Sequence, residues 1–170
     1  ITVDNGIVAN EAVDVANKLG IDIIITDHHQ LGKRLPKAYS IIHTDKISGS
    51  GISWIVAREI RKRFKNYYLR FKNKDSLELA AIGTISDQMP LVGPNRSFAK
   101  YGIEELNSTK RPGLLALFQE AAIEPENIGT YEVNFAIAPR LNAMGRLQHA
   151  IDSLRILCTT SKERAKDLSF

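Results

Sequence analysis

The sequence predicts an α/β fold, a parallel-sheet domain followed by a mostly helical segment. Three observations carry this. Residues 21–25 hold four isoleucines, the near-continuous apolar run of a strand buried on both faces. Two other short apolar runs, at residues 1–3 and 39–43, can stand beside it. After Asp87 the strand signals stop and the pattern becomes helical almost throughout.

Ile1-Thr2-Val3 reads as a strand and Asp4-Asn5-Gly6 as the turn after it, because Asn and Gly both tolerate positive φ. Apolar residues at Val8, Ala12, Val15, Ala16 and Leu19 have helical spacing, and Gly20 stops that helix as a C-terminal cap. Strand, helix and strand make a βαβ unit with a right-handed crossover. Parallel neighbours end at one sheet edge, so Asp4 is expected beside Asp27-His28-His29. That edge is where α/β proteins place ligands. Taken alone, the tripeptide has a second reading, a polar loop that happens to hold two histidines. Asp22 falls at the strand's exposed entry.

Residues 30–36 form a loop, and Tyr39 to His43 is the third strand. Ser48-Gly49-Ser50-Gly51 leads into a helix whose apolar stripe is Ile52, Ile55, Val56, Ile60 and Phe64, with Trp54 beside it. Backbone N–H groups of Gly49, Ser50 and Gly51 can hold a phosphate; plain capping by Ser50 is the other reading. Residues 58–74 carry eight basic side chains (Arg58, Arg61, Lys62, Arg63, Lys65, Arg70, Lys72, Lys74) interleaved with Phe64, Tyr67, Tyr68 and Phe71. This suits a nucleic-acid surface, or equally a solvated helix end running into a lysine-rich loop.

Leu77 to Ile85 is an apolar, helix-compatible element, and Asp87 sits where it ends. Helices are expected near 95–106, 112–122 and 128–137, with a turn at Glu124-Pro125-Glu126. Arg140 and Arg146, with Asn142 between them, can present guanidinium forks to a phosphate chain. From Ile151 the pattern is helical again, with Ile151, Leu154 and Leu157 on one face.

The 170 residues, 44% hydrophobic and 25% charged, suffice for one globular domain or one domain and part of another. Cys158 is the only cysteine, which excludes a disulfide framework and a thiolate metal site and fits a cytoplasmic setting. No apolar run approaches the roughly 20 residues of a membrane span, so no membrane partner is expected, and no secretory leader is visible. A net charge of +4 leans toward an anionic partner. The chain opens inside a strand without an initiator methionine and stops inside a helix-like segment, as a piece of a longer protein would. Oxygen donors plus imidazole suit Mn2+ or Mg2+ better than structural zinc. Two such ions about 3.5–4 Å apart can polarise a phosphoryl oxygen, activate water and steady the leaving oxygen. That arrangement needs more carboxylates than Asp4, Asp27 and Asp87 supply.

Val-Asp-Asn-Gly at 3–6, Thr-Asp-His-His at 26–29, Gly-Ser-Gly at 49–51, Ala-Ile-Gly-Thr-Ile-Ser-Asp-Gln-Met-Pro-Leu at 81–91 and Pro-Arg-Leu-Asn-Ala-Met-Gly-Arg-Leu at 139–147 resemble the DHH phosphoesterase superfamily. Within it they look most like the RecJ-type single-strand-specific exonucleases, in order and over essentially the whole chain. The resemblance implies a phosphodiesterase using two Mn2+ or Mg2+ ions. Asp4, His28, His29 and Asp87 become metal ligands, with His28 the most direct. Asp27, His28 and His29 take catalytic positions, His29 on metal or substrate phosphate and Asp27 orienting an imidazole. Arg140, Asn142 and Arg146 fall beside the nucleic-acid path.

The same resemblance divides the chain. Residues 1–90 correspond to a DHH domain lacking its first strand, whose Asp-x-Asp motif is expected upstream of Asp4. Residues 91–170 correspond to a helical continuation carrying the arginine motif. Without the Asp-x-Asp the piece alone is expected to be a poor or inactive nuclease. The implied substrate is single-stranded nucleic acid, DNA favoured, attacked from the 5′ end in repair and recombination, with a helicase or single-strand-binding protein among the partners it allows. Two alternatives stay open. One is a phosphodiesterase of short RNA or cyclic dinucleotides, against which the 140–146 segment argues. The other is a non-catalytic RecJ-like replication scaffold, against which the intact Asp4, His28, His29 and Asp87 argue.

Overall fold

β-Branched side chains build the sheet, since they pack well on a pleated surface. Strands β1 (Thr2–Val3), β2 (Ile24–Asp27) and β3 (Ser40–His43) pair in parallel in that order. The register sets Val3 beside Thr26 and Asp27 beside His43, so the three strands end on a common edge. The computed structural model describes residues 1–63, 76–147 and 150–169. The basic and aromatic residues expected to act between Phe64 and Lys74 lie outside the described residues.

The isoleucine run differs from expectation. Ile21 is 51% exposed, and the strand begins only at Ile24. Helix α1 (Asn10–Lys18) explains this: the Ile21 amide donates to the Ala16 carbonyl at 2.9 Å. Ile21 is tied to the helix end, not to the ladder. Gly20, at φ +71°, makes that turn.

The expected apolar stripe of α1 also faces the wrong way. Val8, Val15 and Leu19 are exposed, and Val13 is the buried residue. Polar contacts set the rotation. Asn10 Nδ2 donates to the Arg34 carbonyl at 3.2 Å, Arg34 pairs with Asp14 at 3.3 Å, and Asn17 Nδ2 donates to the Lys37 carbonyl at 2.9 Å. Positions 10, 14 and 17 share one helix face. Docking that face on the 34–37 loop turns the stripe outward.

Helix α2 (Gly49–Arg63) packs on β1 and β2 and buries Gly49, Gly51 and Ile52. Helix α3 (Leu77–Ser86) is apolar nearly all round and buries Ala80, Ala81, Ile82, Thr84 and Ile85, the pattern of a central helix. The helices that follow are α4 (Gly93–Asn107), α5 (Pro112–Glu120), α6 (Thr130–Glu132), α7 (Ala138–Leu147), α8 (Ala150–Cys158) and α9 (Lys162–Ser169); α4 and α7 pack on α3, and α5 packs on α8 and α9. A 3-10 turn occupies the expected turn at Pro125–Asn127. Ala81, Ile85, Leu106, Leu117, Phe118, Val133, Ile137 and Ile156 belong to one buried cluster. On α8 that role falls to Ile156, while Ile151 and Leu154 are exposed. Gly113 of α5 lies directly against the Ile156 backbone, and Arg111 Nη1 donates to the Leu157 carbonyl at 2.9 Å. Among the described residues no helix is long and apolar enough to cross a membrane.

The helix expected to end near Ile137 continues through Pro139 as α7, by way of a π turn at Val133–Ile137. Proline lacks an N–H and crowds the carbonyl four residues back. The wider π turn accommodates it.

A buried ion pair ties this helical layer together. Arg111 donates to Glu78 Oε1 from Nε at 3.1 Å and from Nη2 at 2.8 Å, with the side chains only 11% and 10% exposed. Removing one partner leaves a buried charge alone. Glu78→Ala should therefore cost about 3–5 kcal/mol of unfolding free energy in urea titrations, whereas the exposed Lys62–Glu59 pair should cost under about 1 kcal/mol when broken.

Candidate metal centre

The site begins at the common strand edge. Asp27 closes β2 with its side chain buried, 1% exposed. Oδ2 accepts the Ile7 amide at 2.9 Å. Oδ1 accepts the His28 amide at 2.8 Å, the His29 amide at 3.2 Å and His29 Nδ1 at 2.7 Å. Burial pushes the carboxyl up, but the Ile7 amide, the His29 ring and the His29 and His28 amides outweigh it and hold it at about 2. Asp27 is thus an anion at neutral pH and acts as the template of the turn.

The two histidines diverge from this anchor. His29 Nδ1–H is committed to Asp27, its Nε2 has no hydrogen-bond partner among the described residues, and the ring is largely exposed. The bond to Asp27 raises the His29 pKa; its partial burial works the other way, and the charges of Asp27, Asp4 and Asp87 add to the rise. His28 points inward with its side chain 10% exposed. Its Nε2 lies 3.1 Å from Asp4 Oδ1 and 3.5 Å from Asp87 Oδ2. The candidate ligand atoms of Asp4, His28 and His29 all lie within 4.8 Å of one another.

Asp4 reaches this position through a strained backbone. Its φ is +57°, a left-handed value that costs a non-glycine residue about 1 kcal/mol or more. Its amide donates to the Thr26 carbonyl at 2.9 Å, and Thr26 Oγ1 donates to the Thr2 carbonyl at 2.8 Å. On the other side Gly49 lies directly against the Asp4 carboxylate, so that a Cβ there would overlap it. Asp87 arrives as the cap at the end of α3, and Gln88 takes a φ of +54° to leave the helix. α2 meets α3 where Ser50 lies on Gly83, a contact that admits no Cβ.

Capping of α2 falls to Ser48, not to Ser50. Ser48 Oγ accepts the Gly51 amide at 3.1 Å and bonds Thr84 Oγ1 at 2.8 Å in the buried interior. An N-cap is the residue before the helix, and Ser50 already lies inside it. The Gly51 amide is therefore engaged, which narrows the expected Gly49-Ser50-Gly51 phosphate contact. Arg140, Asn142 and Arg146 are exposed on α7, outside the Asp4–His28–Asp87 cluster. The π turn and α7 pack against α3, the helix that ends in Asp87. Arg140 Nη1 donates to the Ala136 carbonyl at 3.0 Å. One residue escaped the sequence reading: His43 Nε2 donates to the His29 carbonyl at 2.7 Å. The signal for it was topological, since His43 ends the strand beside β2.

Two carboxylates, 54% and 42% exposed, converge on one imidazole nitrogen. An array of oxygen and nitrogen donors without thiolate fits a hard divalent cation. Asp27→Asn replaces an acceptor by an NH2 group facing a backbone donor, at a cost of about 1–3 kcal/mol. Amide exchange at Ile7, His28 and His29 should accelerate by about 10–100-fold, while the amide of Phe118 in the helical core keeps its protection.

Comparison with known proteins identifies the chain's relatives. Residues 1–84 match the family described as "DHH family, N-terminal domain". The single-stranded-DNA-specific exonuclease RecJ of Bacillus subtilis (strain 168) is 35% identical over 99% of this chain, which spans 22% of that protein. The crystal structure of RecJ in complex with Mn2+ from Thermus thermophilus superposes with a TM-score of 0.83 at 31% identity, covering 99% of this chain and 26% of that one. The structure of RecJ from the same organism in complex with Mg2+ gives 0.68 at 31% identity, over 88% of this chain and 23% of that one. The chain therefore spans about a quarter of the length of these relatives. Residues 1–84 thus match the N-terminal domain of the DHH family, and along nearly its whole length the chain is similar to RecJ.

Proposed function

We propose that the chain carries the metal-binding part of a RecJ-like exonuclease that hydrolyses phosphodiester bonds of single-stranded DNA from the 5′ end, in DNA repair and recombination, with two Mn2+ or Mg2+ ions. One observation supports this above the others. His28 Nε2 stands 3.1 Å from Asp4 and 3.5 Å from Asp87 at the open edge of a parallel sheet. Asp4, His28 and Asp87 would hold a metal, with His29 Nε2 free for a second ion or a substrate phosphate. Asp27 and His43 hold the turn. The chemistry such ions would supply is polarisation of a phosphoryl oxygen, activation of the attacking water and support of the leaving oxygen. In this reading residues 1–90 supply the metal side and residues 91–170 supply Arg140, Asn142 and Arg146, which take backbone phosphates ahead of the site.

The test uses the full-length protein with a labelled single strand and Mn2+. His28→Ala should lower the degradation rate by about 100-fold or more without changing the far-UV circular dichroism. Degradation that proceeds equally well in His28→Ala, or in excess chelator, would remove the metal reading. Arg140→Ala should weaken strand binding and flatten the slope of log affinity against log salt by about 0.7, one phosphate's worth of released counterion on a single strand. An unchanged slope would confine Arg140 to its bond with Ala136.

A further inference from the structure

We propose that Asn95, a buried side chain on the first turn of α4, is a positioning residue of the metal centre: it clamps together the two loops that deliver Asp87 and the Asp4-facing Gly49. This rests on the metal reading above. Asn95 is 2% exposed, and its Nδ2 donates to the Lys46 carbonyl at 2.9 Å and the Pro90 carbonyl at 3.0 Å. Those carbonyls belong to different segments. Lys46 lies in the loop that feeds α2, just ahead of Gly49, the residue that sits against the Asp4 carboxylate. Pro90 lies in the loop that leaves α3, just after Asp87.

Two observations indicate a positioning role over mere packing. The loop after Asp87 leaves α3 through Gln88 in a left-handed conformation, closed by the Gln88 amide on the Ile85 carbonyl at 3.0 Å and the Met89 amide on the Thr84 carbonyl at 3.3 Å. Those bonds reach only to Met89, and at Pro90 the Asn95 amide takes over and ties the same loop to the one that feeds α2. Further, Asn95 Oδ1 is a buried polar atom with no hydrogen bond among the described residues, a burden of about 1–3 kcal/mol. A site selected only for stability would lose that burden with an apolar residue. Here the amide is kept for its two donors. Asn107 provides the contrast. Its Nδ2 donates to the Ile128 carbonyl at 3.1 Å, and its Oδ1 accepts the Ile128 amide at 2.9 Å. It clamps one backbone position with both ends satisfied, and neither partner adjoins a candidate metal ligand.

Without the Asn95 amide the Lys46 and Pro90 loops can separate, so Asp4 and Asp87 no longer meet His28 at ligand distance. The experiment titrates Mn2+ into the full-length protein and reads free Mn2+ by electron paramagnetic resonance, in wild type, Asn95→Ala, Asn107→Ala and His28→Ala. Thermal unfolding of each apo protein is followed in parallel. Asn95→Ala should weaken Mn2+ binding about 10-fold or more, as loss of residues that support metal ligands does. Asn107→Ala should lower the unfolding temperature and leave Mn2+ affinity within about twofold of wild type. Where Asn95→Ala does not fold, Asn95→Ser, which keeps one shorter donor, is read in the same way. Unaltered Mn2+ affinity in the folded Asn95 variant, with His28→Ala clearly weakened, overturns the positioning role alone. So does an equal loss in Asn107→Ala, which would trace the effect to general destabilisation. Absence of Mn2+ binding in wild type, or full binding in His28→Ala, overturns the metal reading itself and the positioning role with it.

Discussion

The buried carboxylate of Asp27 is the constraint on which the site depends. An anion at 1% exposure is costly unless its oxygens are engaged, and here the Ile7, His28 and His29 amides and the His29 ring supply the engagement. Satisfying one charge therefore dictates three things at once. The chain must turn sharply after β2 so that successive amides point back at Oδ1. The loop after β1 must approach closely enough for the Ile7 amide to reach Oδ2. His29 must face outward with its Nδ1 occupied, which leaves His28 the inward position between Asp4 and Asp87. The electrostatics of one residue thus become the geometry of three others.

Close approach of backbones completes the arrangement. A helix start normally keeps its distance from a neighbouring side chain, but Gly49 lets α2 sit directly on the Asp4 carboxylate, and Gly83 lets α3 accept Ser50. The buried Ser48–Thr84 bond of 2.8 Å locks the same two helices from the other side. Because α3 is apolar nearly all round, its direction is set by packing, and Asp87 at its end inherits that precision. A side chain on the end of a rigid, packed helix is held more firmly than one in a loop, which suits the ligand role proposed for Asp87.

The division between what could be read from residues and what could not follows from the range of the interactions. The parallel sheet, α3 and α4, and the meeting of Asp4 with His28 were legible, because period and topology are properties of local sequence. The rotation of α1 was not: it is fixed by Asn10, Asp14 and Asn17 bonding a loop 20 or more residues away. Ile21 misled for a related reason, since its amide is taken by Ala16 while its side chain continues an apolar run. Ser50 drew the capping assignment from its neighbours, yet Ser48 holds it, a shift of two residues that only the helix start reveals. His43 and Asn95 carried no local signal at all. Each acts through a carbonyl of a distant segment, and backbone acceptors have no sequence signature.

The arginine motif illustrates how a helix defect and a binding function can share one side chain. Pro139 cannot continue the ordinary hydrogen-bond ladder, and the π turn that accommodates it alters the carbonyl pairing over residues 133–137. Just after it, Arg140 Nη1 donates to the Ala136 carbonyl of that turn at 3.0 Å. A guanidinium has five donors and a fixed planar fork, so one bond to its own helix holds the group in place and leaves other donors exposed to solvent. Under the proposed function, a phosphate would meet a guanidinium already oriented by its own backbone, which reduces the side-chain entropy lost on binding. A lysine here could meet the carbonyl or the phosphate with its single ammonium, but it lacks the planar fork that serves both at fixed angles.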